Sequence, residues 1–403
     1  MNKVIDFAQY MKPTKIYLIF LFAISITFSV IVSALERPNI IMEHKENSKL
    51  SIDYSDIDRL FNIAVFDVGR SVREKAKPIR ASIGTRLKSS RNLYTALEAN
   101  RFLYKPFKKI ENKTVLIDIR DSLQSIPEEV PLNMFNKREQ LAYWLNLYNI
   151  TLLTQLVEIY PKSSIGDYLY GENSILEKKL LKVSGNTLSL NDIQYNIVYP
   201  QFGYQPTLMY GFFQGIIGGP NIRTTAYTGE QVFSQLDSNA EEYINSNRGT
   251  YKGRKGVMRV SNIYLRNNQL FPDFDKDLKK HLLAYVDGDY EEYVKNVVIF
   301  KADIRDMHIS DIRAGTRNFG GSAAVNSAAI LDSAGYNNQS GGNGREGRNS
   351  GIAAINPGYI SEYMTNETKS YGIYSVDEVE ILARLKNNSR VKAGKVLIQE
   401  NKK

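Results

Sequence analysis

The chain has 403 residues, 43% hydrophobic and 24% charged, with 52 Lys and Arg against 43 Asp and Glu and a formal net charge of +9. It has no Cys, and its three His are His44, His281 and His308. These figures fit a globular protein with one large core or two smaller ones. They exclude disulfides, thiol nucleophiles, Cys-ligated zinc or iron–sulfur centres, and any lipid anchor that needs a Cys.

Residues 1–15 carry Lys3, Lys12 and Lys15 against one acid, Asp6, and residues 16–32 are uncharged and mostly apolar. Small residues follow at Ser33 and Ala34. Basic, apolar, small is the order of a secretory signal peptide, with cleavage expected after Ala34. The run is short for a membrane span, and Ser25, Thr27 and Ser29 weaken it as a permanent anchor. Two rival readings stay open. One is an uncleaved anchor with a cytoplasmic N-terminus, because the basic residues precede the run; the other is a buried core helix. Both export readings place 35–403 outside the cytoplasm, either periplasmic or secreted, or tethered to the inner membrane through residues 16–34. The lack of Cys fits a bacterial periplasm, where stability must come from the core. Without residues 1–34 the charge is about +7, spread along the chain with no long basic block interleaved with aromatics. A solvated surface is expected, and no nucleic-acid partner.

Residues 35–55 are polar and read as a linker, and 56–104 look mostly helical. Within 105–130 the stretch from Thr114 to Ile119 looks like a strand. The best helix is 137–160, where Leu141, Leu145, Tyr148, Leu152, Leu156 and Ile159 recur at spacings of three and four as an apolar stripe. Pro161 stops it. A hairpin is expected from 180–183 and 187–190 around Ser184-Gly185-Asn186. Thr228 with Gln231 reads as a capping box opening a helix over 230–245. A strand at 257–263 and a helix at 276–286 follow. Residues 314–351 hold nine of the 27 Gly and read as a long loop or linker. Ser375 with Glu378 would start a terminal helix through Lys386. The expected architecture is α+β, with helices packed on a small, mostly antiparallel sheet. It comprises a single main domain, 56–310, behind the N-terminal signal or anchor helix. A Gly/Asn-rich segment, 311–352, and a C-terminal helical extension, 353–403, complete the chain.

Residues 139–165 read EQLAYWLNLYNITLLTQLVEIYPKSSI. This is similar to the signature helix of the family called domain of unknown function 547, whose members carry Ala-Phe-Trp-Asn-x-Tyr-Asn, then His-x-Tyr-Pro and Ser-Ile. Residues 94–102, the hairpin with Leu190-Asn191-Asp192-Ile193, and the approach from Pro220 to Tyr227-Thr228 also resemble family segments. The resemblance covers roughly residues 90–265. On physical grounds, Asn146 and Asn149 lie three apart on nearly the same side of the helix, and Trp144 and Tyr148 four apart do likewise. Buried amides need partners, because an unpaired one costs roughly 1–3 kcal/mol. They either tie neighbouring loops to the helix or orient a ligand.

Family members commonly carry Asp-Pro-Arg-x-His, Asn-Cys and Ser-Cys-Pro, which resembles a thiol site with a nearby imidazole. In the corresponding stretch, 205–220, Met209 stands at the His position, Gln214 at the first Cys and Gly218-Gly219 at Ser-Cys. The resemblance therefore implies a divergent member without cysteine chemistry, a pseudoenzyme. Gly215, Gly218 and Gly219 either expose backbone N–H groups as an anion nest or permit a tight turn. Asp273-x-Asp275-x-Asp277 starts like a calcium loop, but Leu278 and Ala284 replace the required Gly and Glu, so it reads as a helix N-terminus. The scattered His give no zinc signature, and His281 is expected on a helix face.

No catalytic residue, metal or cofactor is expected. The candidate ligand-binding residues are Trp144, Asn146, Tyr148, Asn149, Gln214, Gly218 and Gly219, with a small molecule, glycan or protein as partner. The leading reading is an exported, non-catalytic binding or scaffolding protein. The alternatives are a hydrolase or transferase using non-cysteine groups near Asn149 and Gln214, and an envelope assembly protein acting through its Gly/Asn-rich segment.

Overall fold

The computed structural model describes residues 43–73, 75, 94–95, 98–254, 256–311 and the backbone of 395–398. The expected signal or anchor helix, the Gly/Asn-rich segment from 314 and the terminal helix from Ser375 lie outside these residues. All the described residues fall within the unit Ile40–Lys403.

The chain opens with β1 (Leu50–Asp53), α1 (Ser55–Ala64) and β2 (Val65–Phe66), and β3 (Arg101–Phe102) pairs antiparallel with β2. Three helices follow: α2 (Ile110–Glu129), α3 (Lys137–Ile159) and the short α4 (Gly166–Tyr170). β4 (Leu181–Val183) and β5 (Asn186–Leu188) form the expected hairpin. A π-helical segment, Asp192–Val198, runs into α5 (Tyr199–Phe202), and a tighter 3-10 helix spans Pro206–Gly211. Then come α6 (Val232–Ile244), β6 (Thr250–Lys252), β7 (Val257–Ser261), α7 (Asn262–Arg266), α8 (Phe274–Leu283), α9 (Asp289–Lys295) and β8 (Ile299–Ile304). The last described element is β9 (Lys395–Ile398), which pairs antiparallel with β1.

The α+β class stands. The single small sheet is corrected to four separate ones among the described residues: β1–β9, β2–β3, β4–β5 and the three-stranded β6-β7-β8, whose β7–β8 pair is parallel. Helices α2 and α3 pack against each other at the centre of the hydrophobic core.

Helix α3 begins where Asn136 accepts a hydrogen bond from Glu139 N at 2.9 Å, satisfying an otherwise orphan helix donor. It ends one residue short of the expected Tyr160. The expected apolar stripe proves too modest: residues 139–154 are all buried, so α3 is enclosed on every side. Its polar residues find partners accordingly. Gln140 Nε2 donates to Leu132 O at 2.7 Å, and Thr151 and Thr154 donate to carbonyls one turn back.

Several expectations are corrected. Thr114 to Ile119 lies inside α2, because the apolar residues Val115, Leu116, Ile119, Leu123 and Ile126 continue at helical spacing. The segment read as a linker contains β1, with Ile52 and Tyr54 buried. Among the described residues of 56–104, only α1 is helical, and Arg101–Phe102 is a strand. Gln231 makes no side-chain cap on α6. Gln235 does the pinning instead, accepting from Thr228 N at 3.2 Å and donating to Ala226 O at 2.9 Å. The strand at 257–263 stops at Ser261, whose Oγ accepts from Ile263 N and opens α7. Asp273 caps α8, as the acid-rich helix start predicted. No helix of the described residues is long and apolar enough to cross a membrane.

Candidate functional site

The two asparagines of α3 do the same work on two different loops. Asn146 Oδ1 accepts from Tyr227 N at 2.9 Å and its Nδ2 donates to Tyr227 O at 2.7 Å. Asn149 Oδ1 accepts from Phe213 N and its Nδ2 donates to Gly211 O, both at 3.0 Å. Each amide thus mimics a peptide group and clamps an irregular segment to the helix. Trp144 is fully buried with its ring edge-on to Tyr143, and Tyr148 packs edge-on to Phe212 at 4.8 Å. These four candidate residues are buried in the framework, and none of them lines the two clefts described below.

The loop clamped by Asn149 carries the other candidates. Met209 is 1% exposed. Gln214, also buried, accepts from Tyr170 OH at 2.7 Å. Gly215 has φ +72°, a conformation that Gly adopts without strain. From there the chain pairs with the segment 306–310: Ser310 N donates to Gly215 O at 2.8 Å, Ile217 N to His308 O at 2.8 Å, and Gly218 N to Asp306 O at 3.0 Å. Gly219 N donates to Ile216 O at 3.1 Å. The N–H groups of Gly218 and Gly219, with that of Ile217 before them, all go to backbone carbonyls, so these two glycines do not offer free donors to an anion. Gly218 is Gly because of close approach. A Cβ there would lie 2.8 Å from both the N and the O of Asp306. At Gly219 the nearest contacts would be 3.2–3.3 Å, tight but adjustable.

That pairing brings in residues the sequence reading had passed over. Asp306 Oδ1 lies 2.6 Å from His308 Nδ1, and Asp306 Oδ2 accepts from Thr95 Oγ1 at 2.6 Å. A buried carboxylate therefore holds a partly exposed imidazole in one orientation, the arrangement that prepares a base in nucleophilic catalysis. No hydroxyl is bonded to His308 Nε2 among the described residues. The only sequence signal was Asp-x-His, which shares one face of an extended segment. His281 does lie on a helix face, and that face is buried; its Nε2 is 2.8 Å from Tyr210 OH, and burial pushes its pKa down to about 4.

A cleft of about 540 Å³ opens at the N-terminal end of α3. Its walls come from residues 44–51, the first turn of α3, and Gly229, Glu230 and Phe233. Arg138 reaches over the Phe233 ring at 5.8 Å. Glu139, 4% exposed, lies at its floor. Its Oε1 accepts from Ile52 N at 3.1 Å, and the Tyr54 hydroxyl and Gly229 N–H also favour its ionised form. Burial outweighs them and pushes its pKa up to about 7. A second, smaller polar cleft of about 230 Å³ lies beside Asn221–Thr224 and α6 and includes Arg70, Arg223 and Glu242. No group of His, Cys, Asp and Glu among the described residues is arranged to hold a metal ion.

Residues 132–244 match the family model "Protein of unknown function, DUF547". No curated protein and no solved structure matches the chain. The DUF547 match runs from just before α3 to the end of α6. It therefore contains both asparagine clamps, the loop 205–220 and Glu139. Asp306, His308 and the strand that bonds Glu139 lie outside the match, so contacts to the DUF547 region from beyond its ends complete both candidate sites.

Proposed function

We propose that the protein is an exported, non-catalytic binding or scaffolding protein that keeps the DUF547 framework without its thiol chemistry. One observation carries this reading. Where the family resemblance expects a His and two Cys, Met209, Gln214 and Gly218-Gly219 are buried and bonded within the core. Met, Gln and Gly supply neither a nucleophile nor a base, and the space for a side chain at Gly218 is taken by the Asp306 backbone. The cleft at the N-terminal end of α3 is the ligand site in this reading. It is the largest of the clefts described above, and it combines the aromatic face of Phe233 with charged groups of both signs. Its occupant is a small molecule, a glycan segment or a peptide segment. Export rests on the order of residues 1–34.

The test is a ligand screen by thermal shift on the purified chain, repeated with Phe233→Ala and Lys49→Glu. Stabilisation by a ligand that both variants abolish supports the assignment. A ligand unaffected by either variant, or turnover of a supplied ester, amide or thioester, contradicts it.

The oriented pair Asp306–His308 favours a second reading, a hydrolase built on groups other than cysteine. Its base would be His308. Asn149, with both amide ends bonded to the backbone, would take no part. Activity lost in His308→Ala and kept in Lys49→Glu would select this reading.

A further inference from the structure

The polar cleft of about 230 Å³ beside α6 holds a cation that has no counter-charge from the described residues. Arg223 makes two hydrogen bonds, both through Nη1: to Gln235 O at 3.1 Å and to Asn239 Oδ1 at 2.8 Å. Its Nε is buried and has no hydrogen-bond partner among the described residues. None of their carboxylates forms an ion pair with it. Buried donors in native proteins are nearly always satisfied, so an unpartnered one calls for a group that these residues do not supply.

The guanidinium is held in place by residues that are themselves pinned. Asn239 Nδ2 donates to Tyr210 O at 3.0 Å and to Tyr227 OH at 2.8 Å, and the Tyr227 ring centre lies 5.6 Å from the guanidinium carbon. What remains unbonded is the edge carrying Nε and Nη2. Two parallel N–H groups on one edge match the two oxygens of a carboxylate, and a fixed fork loses little freedom on binding it.

The other cations and acids of the cleft are differently placed. Arg70 pairs with Glu241 at 2.6 Å, and Glu242 pairs with the fully buried Arg248. Asp67 is exposed and accepts from Gly69 N at 2.9 Å, with no cation bonded to it among the described residues. Asn221 Oδ1 accepts from Asn100 N at 2.8 Å, which leaves its Nδ2 as a further donor.

We propose that this cleft is a binding site for small hydroxy or amino acids, with the carboxylate of the ligand on Arg223 and its hydroxyl or ammonium group toward Asp67. The volume is below the roughly 300–1,000 Å³ of sites for drug-sized ligands, so the occupant is small. A single negative charge is compensated by Arg223. The second charge of a phosphate dianion would meet Asp67 and Glu242 in the same cleft, which selects against it. The site shares no lining residue with the larger cleft at the start of α3 and does not depend on the ligand taken there.

The experiment is a titration of the purified chain with lactate, alanine, propanediol and inorganic phosphate at constant ionic strength, followed by calorimetry and by saturation-transfer NMR. Lactate, alanine or both should bind saturably, and whichever binds names the class. Propanediol, which lacks the carboxylate, and phosphate should bind at least tenfold more weakly. Arg223→Gln should weaken the acid by roughly tenfold or more, because a charge-assisted pair is lost. Ser238→Glu adds a negative charge at an exposed position of the cleft wall and should weaken it severalfold, which keeps the test decisive if Arg223→Gln does not fold. Lys182→Glu, on the hairpin and lining neither cleft, should bind like the wild type. No saturable binding of either acid, phosphate binding as tightly as the acids, or binding unchanged in Ser238→Glu overturns the proposal.

Discussion

The contact between Gly218 and Asp306 can be measured by adding one methyl group. In Gly218→Ala the new Cβ would lie 2.8 Å from Asp306 N and Asp306 O, both backbone atoms that no side-chain rotation can move aside. The segment 306–310 must then shift. Overpacking of this kind costs about 1–3 kcal/mol. The hydrogen bonds Ile217 N to His308 O and Gly218 N to Asp306 O lengthen with it, adding about 1 kcal/mol. The expected loss is therefore about 2–4 kcal/mol. Gly219→Ala is the internal control: neither glycine has a positive φ, and its Cβ contacts of 3.2–3.3 Å involve movable side chains as well as one carbonyl. It should cost less than about 1 kcal/mol. Urea unfolding of the three proteins, with the denaturant dependence checked for constancy, gives the comparison. Variants at 218 and 219 that agree within about 0.5 kcal/mol would refute the close pairing of 215–218 with 306–310. The same geometry means that restoring Ser-Cys with Gly218→Ser and Gly219→Cys should destabilise the protein without creating a reactive thiol site.

Asn146→Ala leaves both Tyr227 N and Tyr227 O buried without a partner, and Asn149→Ala does the same to Phe213 N and Gly211 O. Each should cost roughly 2–4 kcal/mol in urea, and Asn146→Asp should be no better, because a carboxylate cannot donate to Tyr227 O; a loss under about 1 kcal/mol would contradict the clamps. Two buried groups should oppose each other in acid. His281 titrates at about 4 rather than 6.5, so its contribution of about 3 kcal/mol is present above pH 6.5 and lost as pH falls through 4. Glu139 titrates at about 7 rather than 4.5, so its contribution of about 3 kcal/mol is present below pH 4.5 and lost as pH rises through 7. Urea midpoints from pH 4.5 to 7.5 should therefore change little in the wild type through these two groups. They should fall with acid in Glu139→Gln and rise with acid in His281→Gln; parallel profiles in all three would contradict the assignments. The export reading predicts that mass spectrometry of the chain isolated from its native cells finds an N-terminus at Leu35, whereas an intact Met1 would contradict cleavage.

Helix α3 was legible because its apolar residues keep helical spacing for about five turns, from Leu141 to Ile159, until Pro161 stops it. The hairpin was legible from Ser184-Gly185-Asn186, where the turn needs residues that tolerate positive φ. The clamping role of Asn146 and Asn149 was one of two readings, since a buried amide needs partners whatever else it does. Other features depend on residues far apart in sequence. The stretch from Thr114 to Ile119 is too short to separate a strand from a helix, and the helical period becomes visible only when Leu123 and Ile126 are included. Strand β1 was hidden because Ile52, and Tyr54 just after the strand, stand among charged and polar neighbours. Glu139 stands in the first turn of α3, and its burial comes from residues near 52 and 229, far away in sequence. Asp306 and His308 showed only a spacing of two, and nothing in the sequence placed them against Gly218.

The central claim, a DUF547 framework without a working reaction centre, is tested most directly by intact-mass measurement after exposing the purified protein to a fluorophosphonate and to activated acyl donors. No covalent adduct on any residue of 205–220 or 306–311, and no turnover of the donors, is the expected result. An adduct on one of these residues that disappears in His308→Ala would contradict it.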